Sequence, residues 1–168
     1  CHGAPMMWLQ CPDEETQAAR DGNAAHWLGE QALGEWAENP DQPKPILPDH
    51  KLAPNGVAID QTIRESAQMY IDDIAYTCGI TEGNYELEIE WFLEAISRIS
   101  PEMPGTLDAC LITADKIILW DYKHGHEEVS PVWNWQMLCY LAGVLEKLGI
   151  NGHDDQNLQI EFRIVQPR

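Results

Sequence analysis

The chain has 168 residues, of which 44% are hydrophobic and 23% are charged. This length allows one domain with a buried core, and this composition excludes a disordered or low-complexity chain. Lysine and arginine number 10 against 28 aspartates and glutamates, so the formal net charge is −18. Such acidity suits a soluble surface and weighs against nucleic-acid binding, because phosphate contacts draw most of their affinity from basic side chains.

The cysteines and the apolar runs indicate the cellular compartment in which the protein works. Five cysteines form no Cys-x-x-Cys pair and are odd in number, so we expect free thiols in a reducing cytoplasm. No apolar run reaches membrane-spanning length and no signal peptide is visible, so we expect no membrane association. Because the sequence starts at Cys1 and ends directly after a strand-like run, we expect the natural chain to extend beyond one or both ends.

The N-terminal half is predicted to be helical. An apolar turn within residues 1–20 predicts a short helix, and the next helix covers 24–36, with Asp21 or Asn23 as its cap. Pro40, Pro43, Pro45 and Pro48 make 39–56 a stiff linker. A second long helix covers 58–78 and ends at Gly79 as a C-cap. Its predicted buried stripe follows helical spacing: Ile59, Ile63, Ala67, Tyr70, Ile71 and Ile74.

The C-terminal half is predicted to supply the sheet. Alternation over 85–93 predicts a strand with Glu86, Glu88 and Glu90 on one face. Apolar runs at 109–112 and 117–120, broken by a polar stretch at 113–116, predict a buried hairpin. A helix over 132–148, closed by Gly149, precedes a last strand at 158–165. This order predicts a single α/β domain over 1–168, with a mixed central sheet flanked by helices.

The end of the predicted hairpin concentrates charged residues. Strand parity places Asp121 and Lys123 on the face opposite to Trp120 and Tyr122. Normal antiparallel pairing then brings Asp108, at the start of the first hairpin strand, close to Asp121. Carboxylate oxygens are the ligands that hard divalent cations prefer. The pattern therefore predicts a cation site with a neighbouring ammonium group.

Three motifs follow one another in this region: Gly-Thr-x-Asp at 105–108, Asp-x-Lys at 121–123 after the hairpin, and Gln-x-x-x-Tyr at 136–140 on a helix. Their order and spacing resemble the RecB-like branch of the PD-(D/E)XK nuclease superfamily, in particular its phage- and prophage-encoded members. The resemblance covers most of the chain. It implies a restriction-endonuclease-like core and a metal-dependent exonuclease that hydrolyses DNA to 5′-phosphate products in phage replication or recombination.

The resemblance also implies roles at the metal site. Asp108 and Asp121 would hold one or two Mg²⁺ or Mn²⁺ ions, and the backbone carbonyl of Tyr122 would complete the site. Lys123 would orient or activate the attacking water. His26 lies in a segment, 21–26, that is similar to a helix start in relatives where the histidine is a metal ligand.

An upstream glutamate would serve the same metal. Strand parity does not choose among the glutamates, and the spacing to the hairpin favours Glu90, with Glu88 second. Gln136 and Tyr140, four residues apart on a helix, would contact the DNA backbone and the site lysine.

For other residues near the motifs, the sequence is compatible with either a functional or a structural role. His124 and His126, in the turn after the lysine, are candidate phosphate contacts or solvated turn residues. Trp133 is either core or a platform for an unpaired base, and we expect Trp135 in the core.

The resemblance bears on cofactors and partners as well. Cys11 could be the early ligand of an iron–sulfur cluster, but no late cysteine group follows, so we expect no cluster. Expected partners are single- or double-stranded DNA ends and further copies of the chain; a ring of copies could gather its few basic residues.

The alternative function is a non-catalytic acidic binding or inhibitor protein on a nuclease scaffold, a DNA mimic for a basic partner. The charge of −18 favours this alternative, whereas the intact Asp108, Asp121 and Lys123 oppose it.

Overall fold

The computed structural model of the chain describes residues 16–39, 42–93, 105–125, 128–150 and 157–167. The short helix predicted near the N-terminus, Cys1, Cys11 and His126 lie outside these residues. The described elements are helices α1 (Gln17–Glu38) and α2 (Gln61–Ile80), strands β1 (Glu86–Leu93), β2 (Gly105–Ile112) and β3 (Lys116–Tyr122), helix α3 (Trp135–Lys147) and strand β4 (Gln159–Val165).

The four strands form one mixed sheet in the order β1-β2-β3-β4. The first three strands pair antiparallel, whereas β4 pairs parallel to β3, and α3 provides the crossover that a parallel pair requires. Helices α1 and α2 pack on one sheet face with Trp120 and Tyr122, and α3 packs on the other with Leu119. The predicted α/β class, with a mixed sheet flanked by helices, is confirmed.

The buried faces follow the predicted periodicity. All six residues of the predicted stripe of the second long helix are buried, and the hairpin forms where its apolar runs predicted it. Alternate residues of β3 face opposite helical layers, so Leu119 and Trp120 belong to different apolar clusters. Burial of these complementary faces holds both helical layers on the sheet.

Helix boundaries differ from the prediction at two of the caps. Thr16 caps α1, because its hydroxyl accepts a hydrogen bond from the Ala19 N–H at 3.2 Å. The prediction of Asp21 or Asn23 as the cap was wrong, since both residues lie inside α1. The residues between Thr16 and Asp21 are good helix formers, so the helix extends back to Thr16, whose hydroxyl caps it.

The C-terminal ends of α2 and α3 give opposite outcomes. Helix α2 continues to Ile80 and is capped by Thr81, so the prediction of Gly79 as its cap was wrong. Gly149 is confirmed at the end of α3, where its φ of 69° is left-handed and its N–H donates to the Glu146 carbonyl. A left-handed residue after a helix is most readily a glycine.

The proline-rich segment contains no helix or extended strand in its described part, 42–56. It is nevertheless fixed to the helices. The Trp36 indole N–H donates to the Gln42 carbonyl at 2.9 Å, and the Arg64 guanidinium donates to the Pro48 carbonyl at 3.2 Å. None of the three described helices combines the length and the apolar character that a bilayer crossing requires.

Strand β1 changes faces at Glu90, whose φ is 48°. Ile89 packs on the α1–α2 side of the sheet, whereas Trp91 packs on the α3 side. Glu88 also faces α3, where the positive charge of Lys147 acts on its carboxylate. The predicted single face for the three glutamates was therefore wrong, because a left-handed residue reverses the alternation of side chains.

Strand β2 changes faces at the same level. Leu107 packs on the α3 side and Ala109 on the α1–α2 side, with Asp108 between them. The register that pairs Ala109 with Ile89 continues without a shift on both sides of this level, so Asp108 lies opposite Glu90. Because both strands change faces at the same level, the carboxylates of Glu90 and Asp108 lie side by side beneath α1.

Candidate metal centre

The ligand cluster consists of His26 from α1, Glu90 from β1 and Asp108 from β2. One ligand atom of each lies within 4.8 Å of the others, and no other group of this kind occurs in the described part of the chain. His26 Nδ1 is 3.5 Å from Glu90 Oε1, and His26 Nε2 is 3.2 Å from Asp108 Oδ2. One imidazole nitrogen and two carboxylates thus converge from three elements that are far apart in sequence.

Helix α1 can bring His26 close to the sheet because its inner face is lined by small residues. Ala24 and Ala25 are fully buried there and precede the histidine directly. The His26 ring lies 5.1 Å from the ring of Tyr122, which in turn stacks on Tyr70 at 4.9 Å. The histidine is therefore held at the rim of the core, with its side chain 29% exposed.

The electrostatics of His26 reflect its two acidic neighbours. Burial alone would lower the pKa of His26, but the hydrogen bonds and charges of Asp108 and Glu90 outweigh burial and raise it to about 10. The metal-free cluster thus prefers a positive charge between its carboxylates. A divalent cation would supply that charge instead, with the imidazole in its neutral form.

Asp121 lies directly beside the ligand cluster. The β2–β3 register ends with Ala109 opposite Trp120, so Asp108 and Asp121 follow directly on the two strands, and the charge of Asp108 acts on Asp121. The side chain is buried, and its Oδ2 has no hydrogen-bond partner among the described residues. Burial is the main cause that raises the pKa of Asp121; the charge of Asp108 adds to it, and Lys123 opposes it. An unpaired buried carboxylate oxygen is costly unless a cation satisfies it.

Lys123 connects Asp121 to helix α3. Its Nζ donates to Asp121 Oδ1 at 2.9 Å and to Gln136 Oε1 at 3.2 Å. The Gln136 side-chain N–H group donates to the same Asp121 oxygen at 3.1 Å and lies 2.9 Å from the Tyr140 hydroxyl. The structure thus brings the Asp-x-Lys and Gln-x-x-x-Tyr motifs into direct contact.

Gly105, which opens the Gly-Thr-x-Asp motif, packs against the ring of Tyr140. A Cβ atom at Gly105 would lie 3.0 Å from Tyr140 Cε1, closer than side chains normally tolerate. We expect Gly105→Ala to displace this ring and to lower the free energy of unfolding by about 1–3 kcal/mol, measured by urea denaturation. Gly34→Ala is the matched control, because its Cβ would meet nothing within 4 Å inside α1; it should stabilise by about 0.5–1 kcal/mol. Equal stability of the Gly105 variant and the wild type would contradict the packing argument.

The other predicted metal-site residues are placed as follows. Tyr122 contacts the cluster through its backbone N–H, which donates to Asp108 Oδ2 at 2.6 Å; its carbonyl remains a predicted ligand. Glu88 lies outside the ligand cluster because it faces α3. Of the two candidate glutamates, the structure therefore brings Glu90 to the cluster.

His124 turns away from the ligand cluster. Its Nδ1 lies 2.8 Å from the Ser66 hydroxyl, and it lines a cavity of about 510 Å³ between the N-terminal ends of α1 and α2. Arg20 and Asp60 line the same cavity. The candidate phosphate contact is thus separated from the carboxylates by the ring of Tyr122, whose hydroxyl also bonds Ser66.

The expectation that Trp135 is a core residue was wrong. Its side chain is 78% exposed, although it is the first residue of α3. Met137 and Val144 form the buried side of this helix, and Trp135 lies about half a helical turn from each of them. Trp133 is 83% exposed, which removes the core interpretation for it as well.

Two residues that the sequence analysis did not assign to the site contact Tyr122, namely Ser66 and Tyr70. Ser66 is a buried polar residue within the apolar stripe of α2, a signal that was readable from its helical spacing. Tyr70 is also buried, and its hydroxyl has no hydrogen-bond partner among the described residues. Burial raises the pKa of Tyr70, and the negative charges of Asp108, Glu90 and Asp121 raise it further.

The residues present fit a divalent cation of the Mg²⁺ or Mn²⁺ type. The donor set is rich in carboxylate oxygens, which such ions prefer, and it includes one imidazole that Mn²⁺ accepts. The unpartnered Asp121 Oδ2 and Tyr70 hydroxyl are buried polar atoms that a cation with its water shell would satisfy.

Comparison with known proteins places the chain in a family. No solved structure matches it at a significant level. A family model described as "Protein of unknown function (DUF2800)" matches residues 1–168, which is the whole sequence. The chain therefore belongs to the DUF2800 family.

Proposed function

We propose that this chain is a Mg²⁺- or Mn²⁺-dependent deoxyribonuclease of the PD-(D/E)XK type, an exonuclease acting at DNA ends. The observation that carries the proposal is the meeting of the ligand cluster with Asp121 and Lys123 near the C-terminal end of β3. The motifs that resemble RecB-like nucleases are distributed along the sequence, yet their side chains lie in one contiguous network.

Each residue has a distinct part in the proposed hydrolysis. His26, Glu90, Asp108 and Asp121 would hold the cation. When bound, a divalent cation supplies charge neutralisation at the phosphate and makes water more acidic at neutral pH. The Lys123 ammonium, with its side chain 32% exposed, can orient a water molecule toward phosphorus and offset the charge that grows on the phosphoryl oxygens. Attack by water then releases the 3′ oxygen and leaves a 5′-phosphate.

The proposed location is the cytoplasm. Cys78, Cys110 and Cys139 are free thiols, and burial raises the pKa of Cys110 to about 12 and of Cys78 to about 11. Thiols of this kind persist in a reducing compartment. DNA metabolism of a bacterial host or its phage takes place there, which agrees with the proposed substrate.

The net charge of −18 favours a second candidate function, an acidic binding or inhibitor module without catalysis. Such a protein would present its carboxylates to a basic partner, much as DNA presents phosphates. The two functions differ in what they require of Asp108, since an acidic surface tolerates loss of one carboxylate among 28 acidic residues, whereas a metal centre does not.

The deciding experiment is cleavage of end-labelled linear DNA and closed circular DNA with Mg²⁺, Mn²⁺ or EDTA. We expect metal-dependent loss of linear DNA, intact circles, and a polarity given by the label. Asp108→Asn should lower the rate by roughly 100-fold or more, since it weakens the metal centre by several kcal/mol. Asp72→Asn removes the same charge from an exposed position on α2 and should leave the rate unchanged.

Other results would change the proposal. Cleavage of closed circular DNA would show that the enzyme is an endonuclease that uses the same metal centre. Equal rates for Asp108→Asn and wild type would remove the ligand cluster from the reaction. A folded protein that cuts neither substrate with either metal would overturn the nuclease proposal and favour the acidic binding module.

A further inference from the structure

Two tryptophan side chains are exposed to solvent at the start of α3. Trp133 is 83% exposed and Trp135 is 78% exposed, and the preceding Val132 is 70% exposed. Large apolar side chains grouped on a surface mark a binding site more often than chance, and indoles are the largest of them. We call Trp133 and Trp135 the exposed indole pair.

The local backbone holds this pair outward. Trp133 has a φ of 57°, a left-handed conformation that is unfavourable for a bulky side chain and that recurs at functional sites. Asn134 follows and caps α3, because its side-chain oxygen accepts from the N–H groups of Gln136 and Met137 at 3.0 and 3.2 Å. The cap fixes where the helix begins and therefore which way Trp135 points.

The exposed indole pair lies next in sequence to a residue of the candidate site. Gln136, the residue after Trp135, contacts Lys123 at 3.2 Å and Asp121 at 3.1 Å. A strand whose phosphate reaches Lys123 would therefore lie near the N-terminal end of α3, where both indoles are exposed. This position suits contact with the substrate itself rather than with a distant regulator.

The charge of the chain limits how such a strand could be held. With 10 basic residues against 28 acidic ones, phosphate contacts can contribute only a small part of the affinity. Stacking of a base on an aromatic ring needs no positive charge and tolerates any base sequence. Bases inside a duplex are already stacked on each other, so unpaired bases offer many more free faces to an exposed indole than a duplex does.

From these observations we infer that the exposed indole pair stacks on unpaired bases, so that the substrate is a single-stranded or frayed DNA end. This inference rests on the proposed nuclease function and specifies its substrate. It also gives a role to two side chains that the core does not use.

The test combines binding and cleavage. Binding is measured by fluorescence anisotropy with EDTA present, using a labelled thymidine oligonucleotide, an abasic oligonucleotide of equal length and a blunt duplex. Cleavage of the single strand with Mn²⁺ gives kcat and KM. Trp133→Ala and Trp135→Ala are compared with Trp133→Phe and Trp135→Phe, which keep an aromatic face. Tyr76→Ala, which removes a 67% exposed aromatic residue on α2, is the matched control.

We expect the wild type to prefer the thymidine oligonucleotide to the abasic one and to the duplex. Each alanine variant should weaken binding and raise KM by roughly five- to 100-fold, with the salt dependence of binding unchanged. The phenylalanine variants should stay close to the wild type, and Tyr76→Ala should have no effect.

Three outcomes would overturn the inference. Alanine variants with unchanged affinity and KM, in a wild type that cuts DNA, would reject stacking and leave the nuclease proposal standing. Self-association of the wild type that the alanine variants lose in sedimentation, with DNA binding intact, would assign the pair to a contact between copies. If the wild type neither binds nor cuts any of these DNAs, the proposed nuclease function itself is overturned.

Discussion

Replacement of Lys123 by methionine should lower the rate of DNA cleavage by about 100- to 1000-fold while leaving Mn²⁺ binding nearly intact. The Lys123 ammonium is not part of the ligand cluster; it donates to Asp121 Oδ1 and Gln136 Oε1 from beside it. Its proposed role is confined to the water and to the charge of the transition state. Loss of one such preorganised donor costs about 100- to 1000-fold in kcat, or roughly 2.7–4 kcal/mol.

Cleavage and Mn²⁺ affinity are measured separately, the second by titration calorimetry. Lys116→Met is the matched control, because Lys116 lies at the opposite end of β3 and pairs there with Glu161 at 2.5 Å. The Lys123 charge lowers the pKa of Asp121, so its loss raises that pKa further, and a small loss of Mn²⁺ affinity should appear toward low pH. Parallel collapse of metal binding and cleavage would show that Lys123 assembles the centre, and retained cleavage would remove it from the mechanism.

The largest expected effect on stability comes from Trp120→Ala, which should lower the free energy of unfolding by about 3–5 kcal/mol. Trp120 is completely buried on the central strand β3. Its indole N–H donates to Asp73 Oδ2 at 2.6 Å, and the Arg163 guanidinium lies 5.4 Å from its ring centroid. Alanine would leave a cavity between the sheet and α2 and remove a partner of Asp73.

Urea denaturation measures this loss, and two variants separate its causes. Trp120→Phe keeps most of the volume but removes the donor to Asp73, so it should cost about 1–3 kcal/mol. Trp135→Ala deletes an equally large side chain from the surface and should change stability by no more than about 0.5 kcal/mol. Similar losses for Trp120→Ala and Trp135→Ala would contradict the burial that distinguishes these tryptophans.

The sequence predicted the fold best where the deciding contacts are local. The hairpin of β2 and β3 followed from two apolar runs around a polar break, and Asp108 and Asp121 lie directly beyond its last pair, Ala109 with Trp120. The stripe of α2 followed from helical spacing alone. These features depend on short-range periodicity, which a single sequence displays directly.

The errors arose where tertiary contacts override a local pattern. Glu90 adopts a left-handed conformation that nothing in the alternation of 85–93 indicates, and this turns it toward His26 and away from the face of Glu88. Hydrophobicity predicted a buried Trp135, but the packing of Met137 decides which side of α3 faces the sheet. Neither result could be read without the neighbouring elements in place.

The residues of the candidate site likewise fall into those that the sequence predicted and those that depend on tertiary packing. Strand parity supplied Asp108, Asp121 and Lys123, whereas the resemblance supplied His26. The structure places His26 beside Asp108, and Lys123 beside Asp121. Tyr70 was treated as core alone, because its proximity to the carboxylates depends on how α2 packs over β3. Side-chain networks between distant elements leave little trace in a single sequence.

The placement of His26 on α1, with Glu90 and Asp108 on the sheet, has a consequence for assembly. The strands can bring their carboxylates together without any help from the N-terminal helix, whereas the histidine joins them only once α1 has docked. A bound cation would then act as a clamp between two layers of the fold. Its binding free energy would add to the docking free energy of α1, so occupancy of the metal centre and closure of the helix onto the sheet would be a single linked equilibrium.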